Sequence, residues 1–188
     1  GGNQDDNSLG DAGAAYIFVR SGTTWTQQAY LKQASPTSNG HFGFAVGISG
    51  NRVVVTAERE KAAYVFVRDG TNWTEEARFQ RRDTGSESNF GYCAAISGDT
   101  VCVGTPGVNG PGAAYVFMRE EGTWAEKQRL VPDNGVAGVR FGFGFSVALN
   151  GDTAIIGAVE EDKGGPSNRG EGAAYVFVHE GTNWNKQA

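Results

Sequence analysis

Cysteine, histidine and long apolar runs are all scarce in this chain. Two cysteines, Cys93 and Cys102, are too few for a disulfide framework. Two histidines, His41 and His179, leave no Cys/His spacing that resembles a zinc site. No apolar stretch reaches the roughly 18 to 20 residues of a membrane-spanning helix, so no membrane span is expected. Excess positive charge is also missing: 16 Lys and Arg stand against 21 Asp and Glu, a formal net charge of −5, which offers no general attraction to phosphates and excludes nucleic acid as the expected partner. The chain opens without Met, signal peptide or targeting motif, and its start reads as processed or excised.

What the chain has in quantity is glycine, 29 of 188 residues, together with 11% aromatics. Many turns between short elements are implied, with enough large side chains to build a core. The aromatics recur in order. Ala-Ala-Tyr-Ile-Phe-Val-Arg begins at Ala14, and near-identical phrases begin at Ala62, Ala113 and Ala173, at spacings of 48, 51 and 60. The step from each phrase to its tryptophan (Trp25, Trp73, Trp124, Trp184) is always 11. Constant spacing inside a unit with variable spacing between units places the insertions in peripheral loops and identifies a repeat protein.

A second phrase precedes the first. Phe42-Gly43-Phe44, Phe90-Gly91-Tyr92 and Phe143-Gly144-Phe145 each lead into two apolar runs of strand length joined at Ser49-Gly50-Asn51, Ser97-Gly98-Asp99 or Asn150-Gly151-Asp152, which are hairpin signals. The Ala-Ala-Tyr run is the third strand. Asp69-Gly70, Glu121-Gly122 or Glu180-Gly181 turns it into a fourth strand carrying the Trp. This fourth run is charged enough to suit an outer edge, where charge discourages aggregation, and residues Trp73, Glu75, Ala77 and Phe79 alternate with polar neighbours at period two.

In the third strand Tyr64 and Phe66 project to one face and Val65 and Val67 to the other, so both faces need cover. Four-stranded antiparallel sheets packed face to face around an axis supply it. The expected fold is therefore all-β: β-propeller blades of four antiparallel strands, in a partial ring of about three and a half blades. Residues 1–188 form one repeat domain, with a partial blade over 1–40, blades over 41–89 and 90–141, and a last blade over 142–188 lacking the end of its fourth strand. A ring that stops there leaves two apolar blade faces bare, to be covered by missing residues of the same propeller or by another chain.

These phrases resemble the FG-GAP repeat of integrin α-chain propellers, and Phe90-Gly91 to Gly104-Thr105-Pro106 and Phe143-Gly144 to Gly157-Ala158-Val159 carry the resemblance. The form is most similar to a bacterial subfamily. The resemblance implies an extracytoplasmic protein (periplasmic, cell-surface or secreted) used for binding and assembly. Copy two departs from it, holding Thr56-Ala57-Glu58 in place of Gly-Ala-Pro. Calcium-binding blades of that family carry alternating aspartates in the first hairpin. Ser49-Gly50-Asn51 and its counterparts offer too few oxygens, so no metal or other cofactor is expected there.

Other candidate chemistry is thin. Asp5, Asp6 and Asp11 are the weak candidates for calcium, in a stretch that reads more simply as an Asx-rich turn, and Glu160, Glu161 and Asp162 read as a solvated loop. Cys93 and Cys102 lie directly opposite each other if Ser97-Gly98 is the turn centre and can then be bridged. If Gly98-Asp99 is the centre, Cys102 faces Ala95 and both are small buried hydrophobes. Arg78, Arg81 and Arg82 form a basic cluster on an outer strand, Asn72-Trp73-Thr74 matches a glycosylation sequon by chance pattern, and no catalytic residue emerges, because neither histidine sits in a triad pattern.

The function expected is a non-catalytic interaction or assembly scaffold, presenting the variable loops 1 to 13 and 158 to 172 to a protein partner. The alternative is a glycan-binding or calcium-dependent adhesion module. All four tryptophans share one repeat position, so structural duty accounts for them.

Overall fold

The computed structural model describes residues 8–81, 89–107, 110–132, 142–159 and 170–188. All named elements in them are strands. The first sheet pairs β1 (Ala15–Ser21) with β2 (Thr24–Leu31). Three four-stranded sheets follow: β3 (Phe42–Ser49), β4 (Arg52–Ala57), β5 (Ala62–Asp69) and β6 (Asn72–Gln80); then β7 (Cys93–Ser97), β8 (Thr100–Thr105), β9 (Ala113–Glu120) and β10 (Thr123–Leu130); then β11 (Phe143–Asn150), β12 (Thr153–Ala158), β13 (Ala173–Glu180) and β14 (Asn183–Lys186). Each is an antiparallel meander in chain order, so first and fourth strands are the edges. First strands of neighbouring sheets pack together extensively while fourth strands touch little, which sets the sheets radially. The result is an all-β partial propeller, an open arc of one half blade and three full blades.

The third strands explain why the arc holds together. In the second blade Tyr64 and Phe66 face backward and pack with Ala15, Ile17 and Leu31 of the first blade. Val54, Ala63 and Val65 face forward and pack with Phe90, Tyr115 and Phe117 of the third. The third blade's Cys102, Ala114 and Val116 in turn meet Phe143, Tyr175 and Phe177 of the fourth. At every interface, aliphatic third-strand residues of one blade thus meet the aromatic third-strand residues of the next. Period-two alternation in a strand sends the two residue types to opposite sides. At each such junction two or three aromatic side chains of roughly 150 to 250 Å² leave water, which makes it the main hydrophobic term of the fold.

The fourth strands depart from the expected alternation. β6 is a strand, but Trp73 joins the backward-facing cluster and Phe79 the forward-facing one. The register explains it: Phe66 pairs with Glu75 and Val65 with Ala77, so Glu76 is an extra residue that flips the strand's sidedness. The same bulge falls on Gln28 in β2 and on Lys127 in β10, always three residues after the tryptophan.

The bulge residue has a job. Trp73 Nε1 donates to Gln28 Oε1 at 3.1 Å, and Trp124 Nε1 to Glu76 Oε2 at 3.0 Å, each bond running from one blade to the one before it. Glu76 also accepts from Arg52 Nε at 2.8 Å and Nη2 at 3.2 Å, and Arg119 Nε of the third blade lies 3.0 Å from its other oxygen. The Arg52 hydrogen bonds come first among the influences that hold the Glu76 carboxyl below its usual range; they outweigh the opposing effect of burial.

Two further contacts tie the inner parts of the blades together. A Cβ on Gly43 or Gly144, both in the left-handed region (φ 96 and 86), collides with the carbonyl oxygen of Ala14 or Ala113 in the preceding blade, so only glycine lets these backbones meet. At the first-hairpin tips, Ser49 Oγ accepts from Gly98 N and Ser97 Oγ from Gly151 N, both at 3.0 Å. The ends of the arc lack such cover. A groove of about 250 Å³ opens between β1 and β3–β4, with Tyr16, Phe18, Val46 and Ile48 on its walls.

Candidate functional site

The Phe-Gly phrase assigns opposite fates to two aromatic residues. The leading phenylalanines, Phe42, Phe90 and Phe143, are buried and set edge-on to the Tyr and Phe of their own third strands, at centroid distances of 5.2 to 6.3 Å. The glycine that follows has positive φ, and the next residue's amide turns back: Phe44 N donates to His41 O, Tyr92 N to Asn89 O and Phe145 N to Gly142 O, at 3.0 to 3.2 Å. In β3 and β11 this turn opens a bulge against the neighbouring strand. It throws the third residue of the phrase out of the core.

Those third residues form a row. Phe44 and Tyr92 lie 5.5 Å apart and Tyr92 and Phe145 5.0 Å, centroid to centroid, one ring from each full blade. Phe44 is 46% and Phe145 40% exposed, and Tyr92 between them is half-buried. They sit at the start of the first strands, on the inner side of the arc. Exposed aromatics held by rigid strands, and already in contact with each other, form a recognition surface with little ordering cost. The sequence analysis quoted these residues only as part of a repeated phrase. The signal available to it was aromatic identity at a position that a glycine turn removes from strand alternation.

Chemistry elsewhere is structural. Asp11 has φ 52 and its carbonyl accepts from His41 N at 3.1 Å, whereas Asp5, Asp6, Glu160, Glu161, Asp162 and Arg82 lie outside the described residues, as do most of loops 1 to 13 and 158 to 172. Among the described residues no group of three or more His, Cys, Asp and Glu is placed to hold a metal ion. His41 Nδ1 is 3.6 Å from Glu58, and His179 stacks on Trp184 at 5.2 Å. Arg78 and Arg81 do not act as a free basic patch: Arg78 lies over Tyr64 near Glu60, and Arg81 lies 3.9 Å over Tyr115 with an ion pair to Glu126 at 2.8 Å. Glu60 further accepts from Tyr64, Thr37 and Gln33, pinning the segment between the first and second blades.

The cysteines are decided by register. Ala95 pairs with Cys102 and Cys93 with Gly104, so Gly98-Asp99 is the turn centre and the two cysteines are diagonal rather than opposed. Both thiols are free. Cys102 is fully buried in the core shared with the fourth blade, and Cys93 Sγ donates to Gly144 O at 3.2 Å. Burial pushes the Cys93 thiol up to about 12 and raises Cys102 as well.

Comparison with known families gives one match. The FG-GAP repeat matches residues 73–117 and 124–177, which is just over half of the chain. Both matched units begin near the tryptophan strand of one blade and end in the third strand of the next. No curated protein matches the chain. With the repeated Phe-Gly turns, the four-stranded blades and these two matched units together, the chain belongs to the FG-GAP repeat family.

Proposed function

We propose that this chain is a non-catalytic propeller segment that works outside the cytoplasm, in a bacterium, as a protein interaction and assembly scaffold. The observation that carries this reading is the row of touching rings Phe44, Tyr92 and Phe145 on the inner side of the arc, the outer two exposed and Tyr92 half-buried. Aromatic side chains are over-represented in the cores of protein interfaces because they bury much area for few rotatable bonds. Phe44 and Phe145 are held on β3 and β11, and Tyr92 immediately precedes β7. The assembly half of the reading rests on the two uncovered end faces, which call for further blades of the same propeller or for another chain.

Glycan binding is the second reading, favoured by the same exposed ring faces, which suit stacking against sugar rings. Affinity capture from an extracytoplasmic extract, run in parallel with the Phe44→Ala/Tyr92→Ala/Phe145→Ala variant and with a glycan array, separates the two. The expected outcome is a protein retained at least about tenfold better by the unaltered chain, the loss that removing a hot spot of about 1.4 kcal/mol or more produces. Array signals that vanish in the variant, with no such protein, overturn the protein-binding reading in favour of the glycan. A rise of several degrees in the melting midpoint on adding calcium, reversed by chelator, would favour the calcium-dependent adhesion alternative.

A further inference from the structure

Asn-Gly occurs four times in the chain, and two of the pairs, Asn39-Gly40 and Asn150-Gly151, lie wholly within the described residues. The dipeptide is chemically reactive. The Asn side-chain amide and the backbone nitrogen of the next residue can close a five-membered imide, and glycine, lacking a Cβ, does not obstruct the approach. The two pairs sit in different surroundings.

Asn150 ends β11 and Gly151 opens the turn into β12, and both are exposed. A Cβ at Gly151 meets nothing within 4 Å, so the ring has room to form. Among the described residues no hydrogen bond holds the Asn150 side chain. The restraint comes from the preceding blade, where Ser97 Oγ accepts from Gly151 N at 3.0 Å. Asn39 is enclosed instead. Its backbone N–H donates to Gly10 O at 2.8 Å, its Nδ2 donates to Ser38 Oγ at 3.4 Å, and a Cβ at Gly40 collides with Glu60 Oε1 and Thr37 Oγ1.

We infer that Asn150-Gly151 is a self-modification site that converts to aspartate and isoaspartate, and that Ser97 of the third blade gates it. Gly151 N loses its proton to hydroxide and attacks Asn150 Cγ. The new N–C bond forms as the bond from Cγ to the side-chain nitrogen breaks, and that nitrogen leaves as ammonia. Water then opens the imide at either carbonyl, giving aspartate or isoaspartate. Ser97 Oγ accepts the proton that must leave, and hydrogen bonding to the neutral N–H form disfavours the anion. The site is therefore closed while the third and fourth blades are seated and opens when they part. This junction is already short of one hydrogen bond, because Trp184 Nε1 has no partner where Trp124 Nε1 has Glu76. Isoaspartate routes the chain through the side-chain carbon and lengthens the backbone at the end of β11, which breaks the Asn150–Thr153 pairing. The conversion is a one-way record of blade separation.

The test incubates the 188-residue chain and its Ser97→Ala, Ser97→Thr and Ser49→Ala variants at mildly alkaline pH, with circular dichroism melts to establish that each is folded. Peptide mass spectrometry follows the exchange of the Asn150 amide for a hydroxyl, and enzymatic methylation identifies isoaspartate. Asn150 is expected to convert ahead of Asn39. Ser97→Ala is expected to convert about fivefold faster than the unaltered chain, the factor that one net hydrogen bond is worth. Ser97→Thr keeps a hydroxyl and is expected to stay near the unaltered rate. Ser49→Ala cuts the equivalent bond one junction earlier, to Gly98 N, and is expected to leave Asn150 unaffected. A synthetic peptide of residues 146–156 supplies the rate without the junction and needs no variant; it is expected to outpace the folded chain. Equal rates in peptide and folded chain overturn the inference, as do equal rates with and without the Ser97 hydroxyl. Acceleration by Ser49→Ala as large as that by Ser97→Ala, or conversion of Asn39 before Asn150, overturns it too.

Discussion

Lys127 stands at the position where Gln28 and Glu76 accept a hydrogen bond from the indole N–H of the following blade, and the buried Trp184 Nε1 has no hydrogen-bond partner among the described residues. An ammonium has only donors, so this substitution removes an acceptor from one junction out of three. Gln128, the next residue, compensates in part: it accepts from Trp184 N at 2.7 Å and donates to Trp184 O at 2.9 Å, holding the backbone of the strand whose side chain is left unpaired.

Lys127→Gln is therefore expected to stabilise the chain by about 1 kcal/mol, the net worth of satisfying a buried N–H. The exposed Lys127–Glu120 pair that it gives up offsets this by a few tenths of a kcal/mol. Guanidinium unfolding monitored by tryptophan fluorescence reads the change, and an unaltered or lowered midpoint counts against an acceptor role for this position.

Glu76 is the most connected of the bulge residues, binding Arg52, Trp124 and Arg119 at once. Glu76→Ala is expected to cost about 2 kcal/mol, because it leaves the Trp124 indole unpaired and removes the carboxylate shared by Arg52 and Arg119, of which Arg52 keeps Asp99 at 3.1 Å, and Glu76→Gln about half as much, since the amide oxygen still accepts from Trp124. The carboxyl is held below its usual value of 4.5, chiefly by the Arg52 hydrogen bonds. Its contribution is then fully present above about pH 4.5 and disappears as pH falls through the lower folded-state value. Melting curves of the unaltered chain and Glu76→Gln are expected to converge below that pH. Curves that stay parallel down to strong acid would contradict it.

Two glycines separate close approach from backbone preference. Gly144 and Gly151 both have positive φ (86 and 55), but an added Cβ at Gly144 meets Ala113 O whereas at Gly151 it meets open space. Gly151→Ala is expected to cost about 1 kcal/mol from the strained dihedral alone, and Gly144→Ala more than roughly 3 kcal/mol because the junction with the third blade must also part. Equal losses in a denaturant titration would show that the Phe-Gly glycine is needed only for its turn.

The free thiols give a chemical check on the register of β7 and β8. With Cys93 raised to about 12 and Cys102 raised and fully buried, neither is expected to react with a disulfide reagent at pH 8 on the minute timescale in the native state. Both are expected to react in guanidinium without prior reduction. Reductant is expected to leave Tm unchanged; a drop of several degrees would reveal a bridge and a different hairpin register.

Much of this architecture was legible from residue order alone. Tyr and Phe alternating with Val in a run bounded by Gly turns can only be a strand covered on both sides, and the constant 11-residue step to the tryptophan fixes which strand follows. The Cys93–Cys102 question stayed open for a local reason. Ser97-Gly98 and Gly98-Asp99 are both good turns, and a shift of one place changes every cross-strand partner.

Period and composition determined that aromatic and aliphatic faces exist and recur, because side-chain direction along a strand is set by covalent geometry. Which face looks back and which forward, that an extra residue at Glu76 sends Trp73 and Phe79 to opposite sides, and that Phe44, Tyr92 and Phe145 converge in one row, were decided by tertiary structure. Bulges and inter-blade contacts arise from fitting neighbouring sheets together, and that fit depends on residues some 50 positions apart, which no local pattern encodes.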